Sequence, residues 1–397
     1  MKKKKILFVI ESLACAGAEK SLTTLLNLMD YTKFDVDLQL FGYGGAFEKL
    51  LPKEVNLLPK LKYFEYCESS LINNKNFKIK YLLARLGYSM KIRTLKYENI
   101  GKSVLLWKKI KTCIEKNEIK YDYAIAYAQG VPTFYVADCV TAEKKYAWVN
   151  VTYIPQEKFK KFINQYYDRY NKIVCVSDMT LQQFKETFPD YKDKANVIYD
   201  INDEKMMIKM SKMQSDAKKD MKTDKKWKLL TVGRLSKQKG YDIAMEACKI
   251  LKEQGISFMW YALGKGPLED EIKNKIKEYQ LEDNFKLLGV KENPYPYYKE
   301  CDIYVQTSKF EGFGLALTEA RVFNKPIVTT EFDAVYMQIK PNVNGLVTKM
   351  DGESVAESII KIIEDENLRE TIINNIKQEK KGNIEEYKKI QKLLEDR

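Results

Sequence analysis

Short hydrophobic runs alternate with longer amphipathic segments along nearly the whole chain. In the first half the runs predict strands at residues 6–10, 36–41, 123–127, 146–149 and 172–176. In the second half they predict strands at residues 228–232, 257–263, 285–288, 303–306, 326–329 and 345–347. Strands that alternate with helices favour parallel sheets covered on both faces, so the sequence predicts an α/β fold.

A polar, lysine-rich and methionine-rich segment, 200–226, separates the two series of strands. Its middle, from Ser211 to Asp220, has the composition of a loop. A chain of 397 residues is also too long for one typical hydrophobic core. We therefore predict one domain over 1–200 and a second over 201–377. The remaining segment, 378–397, contains an amphipathic pattern at 384–394 that predicts a helix.

Composition excludes several kinds of chemistry. The chain contains no histidine, which rules out a Ser-His-Asp triad, a zinc site built on histidine and a histidine general base. Its seven cysteines are odd in number and include no Cys-x-x-Cys pair, which argues against a disulfide framework and a zinc ribbon. Catalysis would have to use carboxylates, lysine, arginine, tyrosine, cysteine or the backbone.

The apolar runs also bear on location. None reaches the length of a membrane-spanning helix. The four lysines after Met1 are followed by only five apolar residues, too few for a secretory signal core. We therefore expect a reduced, cytoplasmic protein.

The most informative motif follows the predicted strand at 303–306. Glu311 and Glu319 lie on either side of a turn that contains Gly312 and Gly314, and a predicted helix begins there. Backbone N–H groups and the positive end of a helix dipole suit a phosphorylated ligand. A purely structural turn does not require two glycines beside an acid, so we favour a ligand site.

A second motif follows the predicted strand at 228–232. Gly233, Arg234 and Lys239 lie on a loop at the carboxyl end of that strand, the usual ligand side of an open α/β sheet. Arginine supplies a planar fork and lysine a mobile point charge, a combination suited to a diphosphate. Alone, these cations could be ordinary solvated surface charges. Their pairing with two acids later in the chain favours a site.

Together the motifs resemble those of a known family. The order is Gly-Arg-x4-Lys-Gly after one strand, a Leu-Gly-x-Gly-Pro turn at 263–267, and Glu-Gly-Phe-Gly-x4-Glu after a third strand. This order resembles the retaining nucleotide-sugar glycosyltransferases of the GT-B architecture. Within them it is most similar to the bacterial group-1-type enzymes that build capsule, exopolysaccharide and other surface glycans. Residues 6–13 and 17–22 resemble the opening strand, glycine loop and first helix of that group.

The resemblance implies an architecture and a reaction. Two Rossmann-like domains would face each other across a cleft, 1–200 binding the acceptor and 201–377 the nucleotide sugar. The segment 378–397 would pack back on the first domain. The implied reaction is retaining transfer from a nucleoside diphosphate sugar, with UDP the expected nucleotide, to a glycan or polyprenyl-linked acceptor. It requires no metal or other cofactor.

Individual roles follow from the same resemblance. Arg234 and Lys239 would neutralise the departing diphosphate, Glu311 would face the sugar ring, and Glu319 would accept hydrogen bonds from the ribose. The base would lie near residues 288–290. The positions to which the resemblance assigns donor binding are Gly17, Asn150, Gly233, Arg234, Lys239, Gly264, Val290, Glu311, Gly312, Phe313, Gly314, Leu315 and Glu319.

One position departs from the family pattern. Many relatives carry a histidine that contacts the donor sugar where this chain has Asn150. Asparagine can donate and accept hydrogen bonds but cannot act as a general base. Three outcomes stay open: a donor without the recognised hydroxyl, replacement of that hydrogen bond by Asn150, or loss of activity. Asp122, Asp302 and Tyr127 are interpreted as structural.

Most of the net charge of +13 comes from one segment, since residues 71–120 alone carry a surplus of ten positive charges. Apolar and aromatic residues are interleaved with these cations. Such a segment can bind an anionic membrane surface, or it can form ordinary surface helices with lysine-rich outer faces. Because similar enzymes use lipid-linked acceptors, we favour peripheral attachment to the inner face of the cell membrane. No recognised nucleic-acid-binding module accompanies the charge, so nucleic acid is not an expected partner.

Other functions remain as alternatives. A phosphorylase or a nucleotide-sugar epimerase could share this fold. A catalytically silent partner subunit is suggested by Asn150 but opposed by the intact Arg234, Lys239, Glu311 and Glu319. A nucleic-acid-binding protein is supported only by the net charge.

Overall fold

The computed structural model describes residues 3–14, 17–68, 78–94, 99–311, 314–332 and 334–395. The chain forms two compact units. Unit 1 comprises residues 1–202 together with 384–397, and unit 2 comprises residues 203–383. The predicted site residues Gly312 and Phe313, and parts of the basic segment 71–120, lie outside the described residues.

Unit 1 contains a parallel sheet of seven strands in the order β3-β2-β1-β4-β5-β6-β7. The strands are β1 Lys4–Ile10, β2 Phe34–Leu40, β3 Val55–Leu57, β4 Lys120–Ala126, β5 Thr141–Val149, β6 Lys172–Cys175 and β7 Ala195–Val197. The helices are α1 Gly17–Leu28, α2 Lys62–Glu68, α3 Ile79–Thr94, α4 Asn99–Ile110, α5 Val131–Cys139, α6 Glu157–Tyr167 and α7 Asp178–Thr187. Short 3-10 turns occupy Ala46–Leu50 and Pro189–Tyr191.

The central strands of unit 1 are buried because they are apolar without interruption. In β1, residues Ile6 to Ile10 are buried, as expected for a strand covered on both faces. This strand pairs with β2 on one side and β4 on the other. Successive strands therefore add outward in both directions from the β1–β4 boundary, which makes that boundary a topological switch point.

Unit 2 contains a parallel sheet of six strands in the order β10-β9-β8-β11-β12-β13. The strands are β8 Trp227–Val232, β9 Phe258–Leu263, β10 Phe285–Gly289, β11 Ile303–Gln306, β12 Ile327–Thr330 and β13 Leu346–Thr348. The helices are α8 Glu204–Ser211, α9 Ala217–Asp220, α10 Tyr241–Glu253, α11 Glu269–Glu278, α12 Tyr295–Glu300, α13 Leu315–Val322, α14 Gly352–Glu364 and α15 Glu366–Gln378. Two 3-10 turns occupy Lys237–Lys239 and Val335–Met337. The switch point of this sheet is the β8–β11 boundary.

The last helix, α16 Glu386–Glu395, belongs to unit 1. The Tyr146 hydroxyl on β5 donates to the carbonyl of Leu393 at 3.0 Å, and the ammonium of Lys4 donates to that of Leu394 at 3.3 Å. At its other end the Glu386 carboxylate accepts the backbone N–H of Tyr199 at 3.1 Å. These contacts fix the helix to the start of β1, to β5 and to the end of the unit's first segment.

The predicted strands are confirmed, with β11 matching its expected bounds and the others shifted by a few residues. Strands β3 and β7 were not predicted, because each has only three residues and little continuous apolar sequence. The loop predicted between Ser211 and Asp220 is wrong in part. Helix α8 ends at Ser211 and α9 spans the last four residues of that segment. Ser211, the first residue of that segment, is helical because it ends α8, whose Met207 and Met210 are buried on one face.

The structural interpretation of two aspartates is also confirmed. The Asp122 carboxylate accepts the N–H of Lys5 at 2.7 Å, and the Asp302 carboxylate accepts the N–H of Lys228 at 2.8 Å. Each aspartate thereby fixes the start of the neighbouring central strand.

Among the described helices, none has both the length and the apolar character needed to cross a bilayer.

Candidate functional site

The candidate site of unit 2 lies where its two central strands end. The loops 233–240 and 307–314 follow β8 and β11, which are neighbours at the switch point of the sheet. Parallel strands carry their carboxyl ends to the same edge, so both predicted motifs lie at one edge of unit 2. Ligands of open α/β sheets bind at this place.

Backbone contacts hold the two loops together. The N–H of Lys309 donates to the carbonyl of Gln238 at 2.7 Å, and the Thr307 hydroxyl donates to that of Lys239 at 2.9 Å. Gly240 has a φ of +60°, and a Cβ at this position would lie 1.9 Å from the carbonyl oxygen of Thr307. Only glycine permits both this backbone conformation and this approach.

Lys239 and Glu311 form an ion pair across the two loops. The ammonium of Lys239 contacts Oε1 of Glu311. The Ser308 hydroxyl donates to the same oxygen at 2.7 Å. The two charged side chains are only 17% and 9% exposed, so little water screens their attraction. Each of the two predicted catalytic groups therefore neutralises the other.

Arg234 differs from Lys239 in its exposure and in its charge partners. Its side chain is exposed, and within the described part of the chain its guanidinium makes no ion pair. A guanidinium available in this way can bind two oxygens of one phosphate at once. The loop after β8 therefore offers one available cation and one that is already paired.

Glu319 is buried on α13, one turn beyond the start of the helix. Its Oε2 accepts a hydrogen bond of 2.8 Å from the hydroxyl of Tyr298 on α12. Burial raises the pKa of Tyr298 well above its usual range, and the neighbouring Glu319 charge adds to the effect. The tyrosine therefore remains a hydrogen-bond donor at physiological pH and holds the carboxylate in one orientation.

The start of α13 is fixed by glycine and by a glutamine. Gly314 has a φ of +80° and precedes Leu315, the first residue of the helix. The Gln338 side chain donates to the carbonyl of Gly314 at 3.2 Å and accepts from the Thr318 hydroxyl at 2.7 Å. The first N–H groups of a helix have no partner within that helix, so this end is suited to an anion.

The loops after β9 and β10 lie at the same edge of the unit 2 sheet as the two motifs. Gly264 has a φ of +149°, and a Cβ there would lie 2.0 Å from the carbonyl oxygen of Gly233. The hydroxyl of Tyr241 donates to the same carbonyl at 3.1 Å. Val290, directly after β10, is 56% exposed. The need for glycine at position 264 is thus explained by close packing between loops. Its predicted contact with the donor stays a prediction.

The two remaining predicted positions lie in unit 1. Gly17 is the first residue of α1, which follows the central strand β1. Asn150 follows β5, and its Nδ2 donates to the carbonyl of Tyr127 at 2.8 Å. Its own N–H donates to the side chain of Gln129 at 3.0 Å. The side-chain amide of Asn150 therefore donates one hydrogen bond to the backbone. Its Oδ1 is buried and has no hydrogen-bond partner in the described structure.

Two further acids lie beside β1 in unit 1. Glu11 directly follows β1, and Glu19 lies in the first turn of α1. Loss of hydration raises the pKa of both carboxyls, and the charge of Glu11 adds to the effect at Glu19. Perturbed acids at the carboxyl edge of a parallel sheet are candidates for ligand contact.

Some site residues could not be singled out from the sequence. Ser308 precedes Glu311 by three residues, a spacing compatible with a local hydrogen bond but too common to be diagnostic. Tyr298 and Gln338 reach the site from α12 and from the turn after β12. No local pattern connects them with Glu319 or Gly314, since only the fold brings them together.

Two Rossmann-like units with parallel sheets are the architecture of the GT-B fold. The solved structure of HepE from Anabaena, described in complex with UDP and glucose, superposes with a TM-score of 0.69 over 98% of this chain and 99% of that chain. The two sequences are 19% identical, so this likeness supports the fold alone. The predicted fold class is confirmed.

Most of unit 2 matches a known family model. Residues 212–379 match the model described as glycosyl transferases group 1. The matched region contains Arg234, Lys239, Glu311 and Glu319. This match supports glycosyltransferase activity.

Two curated relatives differ in how much of the chain they match. A Campylobacter jejuni enzyme named N-acetylgalactosamine-N,N'-diacetylbacillosaminyl-diphospho-undecaprenol 4-alpha-N-acetylgalactosaminyltransferase is 26% identical over 94% of both chains. The amylovoran biosynthesis glycosyltransferase AmsK of Erwinia amylovora is 35% identical over 148 residues. That match covers 35% of this chain and 36% of AmsK, so it spans about a third of each protein.

Proposed function

We propose that the chain transfers a sugar, with retention of anomeric configuration, from a UDP-sugar to a glycan or polyprenyl-linked acceptor in surface polysaccharide synthesis. The observation that carries the proposal is that Arg234, Lys239, Glu311 and Glu319 all lie on the segments that follow β8 and β11, the strands at the switch point of unit 2. Relatives named for amylovoran synthesis and for transfer to a diphospho-undecaprenol carrier support the acceptor class. The α linkage in the second name supports retention for an α-linked donor.

In the proposed reaction, the bond between the anomeric carbon and the diphosphate oxygen breaks, and negative charge accumulates on the diphosphate. Arg234 and Lys239 would stabilise that charge, which is the electrostatic role of preorganised cations in group transfer. The acceptor hydroxyl would attack on the same face, and its proton would pass to the leaving phosphate oxygen. Since two side-chain cations can neutralise the diphosphate, the proposed mechanism needs no metal ion.

The acceptor would be recognised by unit 1, where Glu11 and Glu19 supply carboxyls beside β1. Either acid could orient an acceptor hydroxyl. A polyprenyl-linked acceptor resides in a membrane, so the basic segment 71–120 would attach the protein peripherally to the cytoplasmic face. The anionic lipids of that face attract clustered lysines.

A donor panel tests the proposal directly. The protein is incubated with different nucleotide sugars, and release of free sugar or nucleotide is followed by mass spectrometry, with thermal unfolding measured in parallel. We expect one donor to be hydrolysed slowly and to raise the melting temperature. If no donor is cleaved but one still stabilises the protein, a catalytically silent subunit, as suggested by Asn150, is the better interpretation. If none is cleaved and none stabilises, the proposal fails.

The Lys239–Glu311 pair leads to a prediction of opposite effects on binding and turnover. The Glu311→Gln variant removes the carboxylate that competes with a diphosphate for Lys239, while an amide can still accept from Ser308. We expect UDP to bind roughly tenfold more tightly, equivalent to about 1.4 kcal/mol. Turnover should fall, because the group facing the sugar has lost its charge. Isothermal titration calorimetry and initial rates measure the two effects.

Ser308→Ala is the matched control for that variant. It removes only the hydrogen bond to Glu311 and leaves the carboxylate in place. We expect its UDP affinity to stay near that of the wild type. Weaker UDP binding by Glu311→Gln would show that Glu311 does not compete with the nucleotide for Lys239.

For Glu319 the expected loss is in donor affinity. Hydrogen bonds from ribose hydroxyls to a charged carboxylate are worth about 1.5–3 kcal/mol each, so Glu319→Ala should raise the donor KM by roughly 10–100-fold. The affinities of UDP and 2′-deoxy-UDP locate the effect. Wild type should discriminate between the two nucleotides, and Glu319→Ala should not. Equal discrimination by both proteins would mean that Glu319 makes no ribose contact.

A further inference from the structure

Helix α3 has two apolar faces that point in opposite directions. On one face, Tyr81 and Ala84 are buried in the core of unit 1, and Tyr88 packs against that core. The other face carries large apolar side chains that remain exposed. They are Ile79 at 69%, Leu83 at 64%, Leu86 at 50% and Met90 at 65%.

The spacing of the exposed residues makes them one strip. Steps of four, three and four residues return to the same side of an α-helix with 3.6 residues per turn. The strip therefore runs along the helix, opposite the face that holds Tyr81 and Ala84. A helix on the surface of a soluble domain usually turns polar residues outward, so a continuous apolar outer strip is an interaction surface.

Lysines flank this strip in the sequence. Lys78 and Lys80 precede and follow Ile79, and Lys91 follows Met90. The Lys80 ammonium donates to the carbonyl of Thr112, just beyond α4, and the Lys78 and Lys80 ammonium groups lie 5.5 and 5.6 Å from the centre of the Tyr81 ring. From α4 itself, the Lys109 side chain extends to α3, since its Nζ lies 3.4 Å from where a Cβ on Gly87 would be.

We propose that the outer strip of α3 (Ile79, Leu83, Leu86 and Met90) docks on an anionic bilayer surface, lying parallel to it. The apolar side chains would enter the boundary between headgroups and acyl chains, and lysines of the basic segment 71–120 would contact lipid phosphates. The surplus of ten positive charges over residues 71–120 selects an anionic occupant, because clustered lysines are attracted to anionic lipids. This strip is the surface that would serve the membrane attachment in the proposed function. Vesicle binding by the strip can be tested without any sugar transfer.

Vesicle co-sedimentation of the full chain tests the inference. Wild type should sediment with phosphatidylcholine vesicles that contain phosphatidylglycerol, and binding should weaken with added salt or without the anionic lipid. The double variant Leu83→Glu, Leu86→Glu places two carboxylates in the strip. We expect its partition onto vesicles to fall by roughly tenfold or more. Because both positions are exposed, its melting temperature should stay close to that of wild type.

A matched control separates the strip from overall charge. The double variant Val343→Glu, Ile384→Glu adds the same two charges at apolar positions outside α3 that are 43% and 50% exposed. This control should keep most of the vesicle binding. Equal binding by wild type and the strip variant would overturn the inference. Light scattering without vesicles gives a second check. A wild-type dimer that is absent in the strip variant would also overturn the inference, because the strip would then bind a second copy. If vesicle binding survives while no donor is cleaved, only the proposed transfer reaction fails.

Discussion

Replacing Lys239 with alanine is expected to lower kcat by roughly 10²–10³-fold, the usual consequence of removing one preorganised group that stabilises developing charge. The ammonium lies at the β8–β11 switch point, where the leaving diphosphate is proposed to bind. Arg234→Ala should act in the same direction, since its exposed guanidinium is the second cation of the loop. Single-turnover rates at saturating donor separate this loss from weaker binding.

A loss of activity in Lys239→Ala could also come from damage to the fold, because Glu311 is left as a buried carboxylate without its partner. Removal of one partner of a buried ion pair costs about 3–5 kcal/mol. The double variant Lys239→Ala, Glu311→Gln removes both charges and should recover most of the lost thermal stability. If its turnover equals that of Glu311→Gln alone, Lys239 serves the fold and not the reaction. Lys237→Ala, an exposed position on the same turn, should leave the rate unchanged.

Gly264→Ala is expected to produce the largest loss of stability among the glycine positions discussed. Its φ of +149° is essentially accessible to glycine alone, and the new Cβ would lie 2.0 Å from the Gly233 carbonyl oxygen. Backbone strain and displacement of the neighbouring loop together should cost about 3 kcal/mol. For a unit of this size that corresponds to a melting temperature lower by roughly 6–12 °C. Differential scanning calorimetry measures the shift.

Gly289→Ala provides the comparison. Gly289 has a φ of +70°, but a Cβ there would have no heavy atom within 4 Å. Only the strain of the left-handed backbone remains, and we expect a loss of about 1 kcal/mol. Similar losses in the two variants would show that the clash with Gly233 is relieved without consequence. The glycine at 264 would then have to be explained by its predicted contact with the donor.

The sequence predicted the central strands well because burial on both faces leaves a continuous apolar run. Strand β11 was predicted with its observed bounds, since polar residues end the run on both sides. The edge strand β3 escaped prediction because half-burial and a length of three residues leave no such run. Helix α9 was not predicted because its residues are mostly lysine and aspartate, and only Ala217 is buried.

For the candidate site, the sequence indicated which residues matter but not how they contact one another. The spacing around Glu311 and Lys239 placed both at strand ends, because the motif and the strand pattern are local. Their ion pair joins residues 72 positions apart and depends on the order of strands in the sheet. The same holds for Tyr298, which contacts Glu319 only because α12 and α13 pack against each other.

The membership of α16 in unit 1 has a practical consequence for dissecting the protein. The chain leaves unit 1 after Asn202 and returns to it at Ile384, so this unit is not a contiguous piece of sequence. A fragment ending at residue 202 would uncover Tyr146 and leave the N–H of Tyr199 without the Glu386 carboxylate. Unit 2 can be excised as one uninterrupted fragment. An isolated unit 1 would need its terminal helix joined back through a designed linker.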